Sequence, residues 1–206
     1  MKDYVNTKKL EKYISDEFNH GIQVSNLAYH VSKKLGLYEN MCYELAIAGA
    51  IHDIGKLKVA AYLYEGNEDE FGVEEMRYVR MHSRLSYEIL IRYDYSDFII
   101  ESILYHHENY DGSGYPENLQ GNGIPIGARV LRVCDVYAAL TSDRPYRKAF
   151  DPETAVRIMI DEMKNYDMRV FLAFQQAIHE EAWKESWENP GLRVKIEEYL
   201  NDAKLE

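Results

Sequence analysis

The sequence predicts an all-α fold, a bundle of helices around one core. Three observations predict it. Apolar residues recur at spacings of three and four along most of the 206 residues, the mark of helices with one buried face. No segment keeps the apolar–polar alternation of a strand. The one long interruption, residues 108–127, gathers five of the 12 glycines and two of the five prolines. A loop of that length inside a compact domain usually carries function.

Taken in order, Leu10, Tyr13 and Ile14 give a first apolar face. Val24, Leu27, Ala28, Val31 and Leu35 continue helical spacing to Gly36, a helix stop. Met41 to Ile51 is apolar on nearly all sides and reads as a buried central helix, ending at His52-Asp53-Ile54-Gly55-Lys56. Residues 64–74 read as a polar loop. One helix is expected from Val73 through Arg80, a separate one from His82 to about Tyr93, and another from Asp97 to Tyr105. After the glycine-rich loop, helix resumes near Ala128 and carries Val130, Leu131, Val133, Val136, Ala139 and Leu140. Asp151-Pro152-Glu153 supplies a cap and a first turn. Two or three further helices follow, with Val156, Ile158 and Met159, then Phe171, Phe174 and Ile178. Asn189-Pro190-Gly191 precedes a last amphipathic stretch holding Val194, Ile196, Tyr199 and Leu200. Trp183, Trp187 and the 18 tyrosines are expected to pack the core and the C-terminal helices.

A chain of this length suits one domain, or one domain with a terminal extension, and needs no disulfide or structural metal to fold. Cys42 and Cys134 sit in apolar stretches and read as buried free thiols in a reducing compartment. The formal net charge of -11 disfavours general nucleic-acid binding, because an acidic surface repels phosphate backbones. The first residues lack an apolar leader core and no apolar run is long enough to span a membrane. The expectation is a cytoplasmic protein.

The chemistry lies in histidines beside acids at the ends of apolar segments: His52-Asp53, His82, His106-His107, and Asp135 inside an apolar helix. A carboxylate buried among apolar residues is costly unless it is paired or binds a cation. Imidazole and carboxylate together suit zinc, iron or manganese, and the lack of a thiolate in the set argues against a structural zinc site. Neighbouring side chains on a helix point about 100° apart, so His52 and Asp53 serve two metals more easily than one. A carboxylate has two oxygens and can bridge them. His30 and His179 stand in no such pattern and read as structural or surface residues.

These motifs carry a resemblance. His52-Asp53-Ile54-Gly55-Lys56 resembles the signature of the HD metal-dependent phosphohydrolases. His106-His107-Glu108-Asn109-Tyr110-Asp111-Gly112-Ser113-Gly114-Tyr115-Pro116 is similar throughout to the HHExxDGxGYP signature of their HD-GYP branch. Leu119, Gly121 and Ile124, the stretch Ala128 to Asp135 and the stretch Thr141 to Arg147 keep the spacing of that branch, so the resemblance spans roughly residues 15–150.

The resemblance implies an HD-domain helical bundle around a bi- or trinuclear metal site, with residues 1–150 as the catalytic domain and 151–206 as a helical extension packed on it. It implies His52, Asp53, His82, His106, His107 and Asp135 as metal ligands, Asp53 bridging, with His20 as an early ligand. Asp16 stands where some members have a glutamate for a third metal, and Glu17 is the competing candidate. The ions implied are two or three divalent metals, iron or manganese. Lys56, together with Asp53, is implied in catalysis, and Lys56, Arg144 and Arg147 in holding substrate phosphate or base. Tyr115 is implied in binding substrate, its loop shaping the pocket.

The implied reaction is hydrolysis of cyclic di-GMP to pGpG, and onward to GMP, by attack of a metal-bridging hydroxide on phosphorus. Two alternatives stay open: an HD phosphohydrolase for another cyclic dinucleotide or nucleotide, and a non-catalytic cyclic di-GMP binder. A homodimer and signalling-domain partners docking through the GYP loop are compatible with the resemblance. In one departure, Ala138 stands where the family often has an aspartate three residues after the metal-binding one.

Overall fold

The structure, a computed structural model, describes residues 2–58, 73–143 and 147–180. Arg144, most of the expected 64–74 loop, Trp183, Trp187 and the last amphipathic stretch lie outside the described residues. Seven helices of eight residues or more account for most of what is described: α1 (Lys2–Lys34), α2 (Glu39–Ile51), α3 (Val73–Leu90), α4 (Asp97–Leu104), α5 (Ile126–Leu140), α6 (Pro152–Asp161) and α7 (Met168–His179). No β-strand occurs among the described residues, as the periodicity predicts.

The two apolar stretches expected before Gly36 belong to a single helix, α1. Its end turns over at residues 35–37, where the Leu37 N–H returns to the Ser32 carbonyl at 3.1 Å. The reversal lays α2 along α1, and Val24, Leu27, Ala28 and Val31 meet Leu45, Ile47 and Ala48 in one core. α5 runs through the middle of that core, in contact with α1, α2, α4, α6 and α7.

The segment after residue 150 completes this core. Asp151 caps α6, accepting the Thr154 N–H at 2.9 Å, with Pro152 in the first turn. Asp167 caps α7 through the Arg169 N–H. Ala155, Met159, Val170, Phe171 and Phe174 then pack with the α1, α2 and α5 residues. Ala138, the departure noted in the sequence, is buried there as well.

One expectation is corrected. The helices expected on either side of residue 81 are one continuous helix, α3, and His82 lies inside it. No glycine, proline or capping residue stands between Arg80 and His82 to end it. Its buried face carries His82, Ser83, Ser86 and Leu90, so the apolar periodicity fades where small and polar groups replace hydrophobes.

Among the described residues, no helix is long and apolar enough to cross a membrane.

Candidate metal centre

Five parts of the chain converge on one point: α1 with His20, the turn after α2 with His52 and Asp53, α3 with His82, the end of α4 with His106 and His107, and α5 with Asp135. The turn is held by a close approach. Gly55 lies against α3 so tightly that a Cβ there would stand 2.2 Å from the His82 carbonyl oxygen. Ser86 ties the two together, accepting from the Gly55 N–H at 2.9 Å and donating to the His52 carbonyl at 2.8 Å.

Asp53 divides the cluster. Its Oδ2 stands 3.1 Å from His52 Nε2 and 3.9 Å from His20 Nε2. Its Oδ1 stands 3.1 Å from His82 Nε2 and 4.0 Å from His106 Nε2. On the first side, Asp135 Oδ1 lies 2.9 Å from His20 Nε2 and 3.7 Å from His52 Nε2. On the second, His82 Nε2 lies 2.9 Å from His107 Nε2 and 3.3 Å from His106 Nε2. Three sets, His20–His52–Asp135, His52–Asp53–His106 and His82–His106–His107, each keep their donor atoms within 4.8 Å of one another.

The donors fit divalent cations. His52 Nδ1 donates to the Gly49 carbonyl at 2.8 Å and His106 Nδ1 to the Ile103 carbonyl at 2.6 Å. A carbonyl only accepts, so both Nδ1 atoms carry hydrogen and each Nε2 is left to offer a lone pair to the centre when its ring is neutral. Buried His52 Nε2 and Asp53 Oδ1 have no hydrogen-bond partner among the described residues. Buried polar atoms without partners are rare and costly; a cation between these groups would satisfy them. No thiolate joins the set, and nitrogen with carboxylate oxygen is the chemistry of zinc, iron and manganese.

Without a cation the centre compensates its own charges. Burial pulls the His52 pKa down, but the Asp53 and Asp135 carboxylates outweigh it and push it up to about 10. Burial pushes the Asp53 and Asp135 carboxyls up, but the neighbouring histidines, and Lys56 at Asp53, hold both well below the carboxylate range. Burial and the nearby histidines lower His106 to about 3, so its ring is a neutral ligand.

Around the centre, Lys56 Nζ lies 2.5 Å from Asp53 Oδ2 and 3.1 Å from Glu17 Oε2. Tyr115 stacks on His107, ring centroids 4.7 Å apart, with the Arg80 guanidinium 5.8 Å from its own ring. The loop that brings Tyr115 there is held by buried Glu108, whose carboxylate accepts the N–H groups of Glu117 at 2.6 Å and Leu119 at 3.1 Å. Gly114 is required at its crossing, because a Cβ would stand 2.2 Å from the Asn109 nitrogen.

Among the described residues the structure thus brings together His20, His52, Asp53, His82, His106, His107 and Asp135, with Lys56 and Tyr115 at the edge. Asp16 is exposed and stands outside the three sets; it lines a cleft of about 320 Å³ with Asn19, His20, Gln23, Thr141, Ser142 and Asp143. Glu17 is the acid of that helix that reaches the centre, through Lys56. Arg147, expected at a substrate phosphate, is engaged with its own backbone. Its terminal nitrogens donate to the carbonyls of Ala139, Leu140 and Lys148, and its guanidinium lies 4.7 Å over Phe150. Ser86 escaped the sequence reading, since a serine in a helix has no distinguishing pattern. Glu108 was legible as part of the motif that shapes the pocket, but its hold on the Glu117 and Leu119 N–H groups was not.

The geometry has its counterpart among known proteins. A family model for the HD domain matches residues 5–170. The chain belongs to the HD domain family. It is 35% identical over 171 residues to a cyclic di-GMP phosphodiesterase of Pseudomonas aeruginosa, covering 80% of this chain and 40% of that protein. A 3'3'-cGAMP-specific phosphodiesterase of Vibrio cholerae is 34% identical over 156 residues, covering 75% of this chain and 36% of that one. The chain therefore spans about two fifths of the length of these two relatives.

Solved structures share the fold. An HD-GYP-like protein of Bdellovibrio bacteriovorus superposes with a TM-score of 0.64 at 18% identity, over 79% of this chain and 52% of that one. A cyclic GMP-AMP phosphodiesterase of Vibrio cholerae superposes at 0.62 and 14% identity, over 86% and 48%.

Proposed function

We infer that this HD domain is a metal-dependent phosphodiesterase that hydrolyses cyclic di-GMP to pGpG, with GMP as a further product. The observation that carries the reading is Asp53, whose two oxygens face two separate groups of histidines. A carboxylate so placed would suit two cations, the pairing used for in-line displacement at phosphorus. Similarity to cyclic di-GMP phosphodiesterases supports the substrate.

One cation would be held by His20, His52, Asp135 and Asp53, and the other by Asp53, His82, His106 and His107. When bound, such ions supply Lewis acidity and lower the pKa of water toward neutrality. The protein's own groups do the rest. The Nδ1 bonds of His52 and His106 fix ring orientation, the neutral His106 adds no competing charge, and Lys56 brings an ammonium to the edge of the centre where a phosphate would approach. Tyr115 on His107 shields one side of the histidine group from water. Iron or manganese is the proposed metal, since both accept mixed imidazole and carboxylate ligands.

A second reading, hydrolysis of 3'3'-cGAMP, is favoured by relatives named for that substrate at 34% and 29% identity. The test is turnover of cyclic di-GMP, 3'3'-cGAMP and cyclic di-AMP by protein loaded anaerobically with iron or manganese. Cyclic di-GMP cleaved fastest, with His52→Ala inactive, supports the first reading. Faster cleavage of 3'3'-cGAMP replaces it with the second. Tight cyclic di-GMP binding without product from any substrate overturns both.

A further inference from the structure

Arg132 is a half-buried cation for which no anion is described. It sits on α5 three residues before Asp135, so the two share one side of that helix. Its Nε donates to Asn109 Oδ1 at 3.0 Å, two residues beyond His107. Its guanidinium carbon lies 6.0 Å from the Tyr166 ring centroid. It forms no ion pair with any described carboxylate, and its two terminal amino groups meet no described acceptor.

The neighbouring cations differ. Lys56 is paired with Asp53 and Glu17, Arg129 with Asp167, and Arg147 is spent on backbone carbonyls. A half-buried guanidinium whose terminal donors stay open, in a chain of net charge -11, is placed to take an anion. Its planar pair of N–H groups matches two oxygens of a phosphate.

We propose that Arg132 is a substrate-binding residue whose open fork takes a phosphate oxygen of the bound dinucleotide, on the His107 and Asn109 side of the centre. The proposal rests on the phosphodiesterase reading, and it deepens it. A cyclic dinucleotide carries two phosphodiesters. While one lies at the metal centre, the ligand as a whole still needs cations outside the metal ligands, and Lys56 already faces two carboxylates. The Nε bond to Asn109 and the aromatic face of Tyr166 hold the guanidinium ready, so little side-chain freedom remains to be lost on binding. Tyr166 lies beyond residue 150, so the C-terminal segment helps build this wall.

The test uses Arg132→Gln and Arg132→Lys in the metal-loaded chain. Steady-state kinetics on cyclic di-GMP are paired with calorimetric titration of inorganic phosphate, Tm and metal content. Arg132→Gln is expected to raise KM about tenfold or more, the loss of a charge-assisted pair made equally in ground and transition states, with kcat within about threefold. It should weaken phosphate binding while leaving Tm and metal content near wild type. Arg132→Lys, which keeps the charge and loses the fork, is expected to fall between.

Unchanged KM and phosphate affinity in Arg132→Gln overturns the proposal. So does a joint fall of Tm and metal content in both variants, which would make Arg132 a brace for the loop. If wild type cleaves no cyclic dinucleotide, the phosphodiesterase reading fails by itself. The phosphate titration then decides Arg132 alone, and equal affinity in wild type and Arg132→Gln overturns it.

Discussion

Asp53 stands between the two groups of histidines, with Oδ2 beside His52 and Oδ1 beside His82. Exchanging one oxygen for an amide nitrogen leaves its size and hydrogen-bonding reach nearly intact but removes its ability to bridge. Asp53→Asn should therefore lower bound metal per chain by elemental analysis and cut kcat by about 10³-fold or more, the scale of several kcal/mol of charge stabilisation. Wild-type metal content with wild-type turnover would remove the bridge from the mechanism. Arg147 is the opposite case. Its position in a motif suggested a phosphate contact, yet its N–H groups close the end of α5 by taking the carbonyls of Ala139 and Leu140. Arg147→Ala is expected to lower stability by about 1–3 kcal/mol, the cost of leaving the Ala139 carbonyl without its donor while Leu140 keeps the Phe150 N–H, and to leave KM close to wild type. A tenfold rise in KM with unchanged Tm would return Arg147 to the substrate. A motif records which residue type is present. It does not record whether the side chain is committed to its own backbone.

The elements explain which parts of the centre could be read from the sequence and which could not. α2 was legible because it is apolar on nearly all sides from Met41 and ends at a histidine–aspartate pair, so both burial and chemistry are written in adjacent letters. The loop 108–127 was legible from its glycines. α3 was split in two because its buried face is lined with His82, Ser83 and Ser86, and hydrophobic periodicity is silent where a helix buries polar groups. Those polar groups are the reason α3 lies where it does. Ser86 bridges the Gly55 N–H and the His52 carbonyl, fixing the turn from which His52 and Asp53 project. Ser86→Ala should cost about 1–3 kcal/mol, since both backbone groups are buried and lose their partner, seen as a shifted denaturant midpoint at constant m-value. Metal affinity should fall with it, because second-layer bonds to ligand-bearing segments typically matter about 10–100-fold. A destabilised variant with wild-type metal affinity would show that the turn holds its shape without the serine.

For the whole molecule, the centre ties α1, the turn after α2, α3, the end of α4 and α5 to one point, so a bound cation acts as a cross-link among distant parts of the chain. Binding only to the folded state stabilises it by about 2.7 kcal/mol when free metal is a hundredfold above Kd. For a protein of this size that is about 5–10 °C in Tm. The protein stripped of metal should nevertheless remain folded, because its charges compensate: His52, raised to about 10, faces Asp53 and Asp135, and Lys56 faces Asp53. This fixes the sign of the pH dependence. In the stripped protein the raised His52 contributes stability that is fully present below the ordinary histidine pKa of about 6.5 and is lost as pH rises through about 10. The lowered carboxyls contribute stability above about pH 4 that is lost as pH falls further. A cation must displace the His52 proton to use Nε2, so metal binding releases a proton and strengthens as pH rises. The gap in Tm between loaded and stripped protein should therefore widen between pH 6 and pH 8. Thermal melts across that range measure it, with Asp53→Asn as the control whose gap stays small. A gap that is constant or narrows would mean that His52 does not give up its proton to the metal, and that His20 and Asp135 hold the first cation without it.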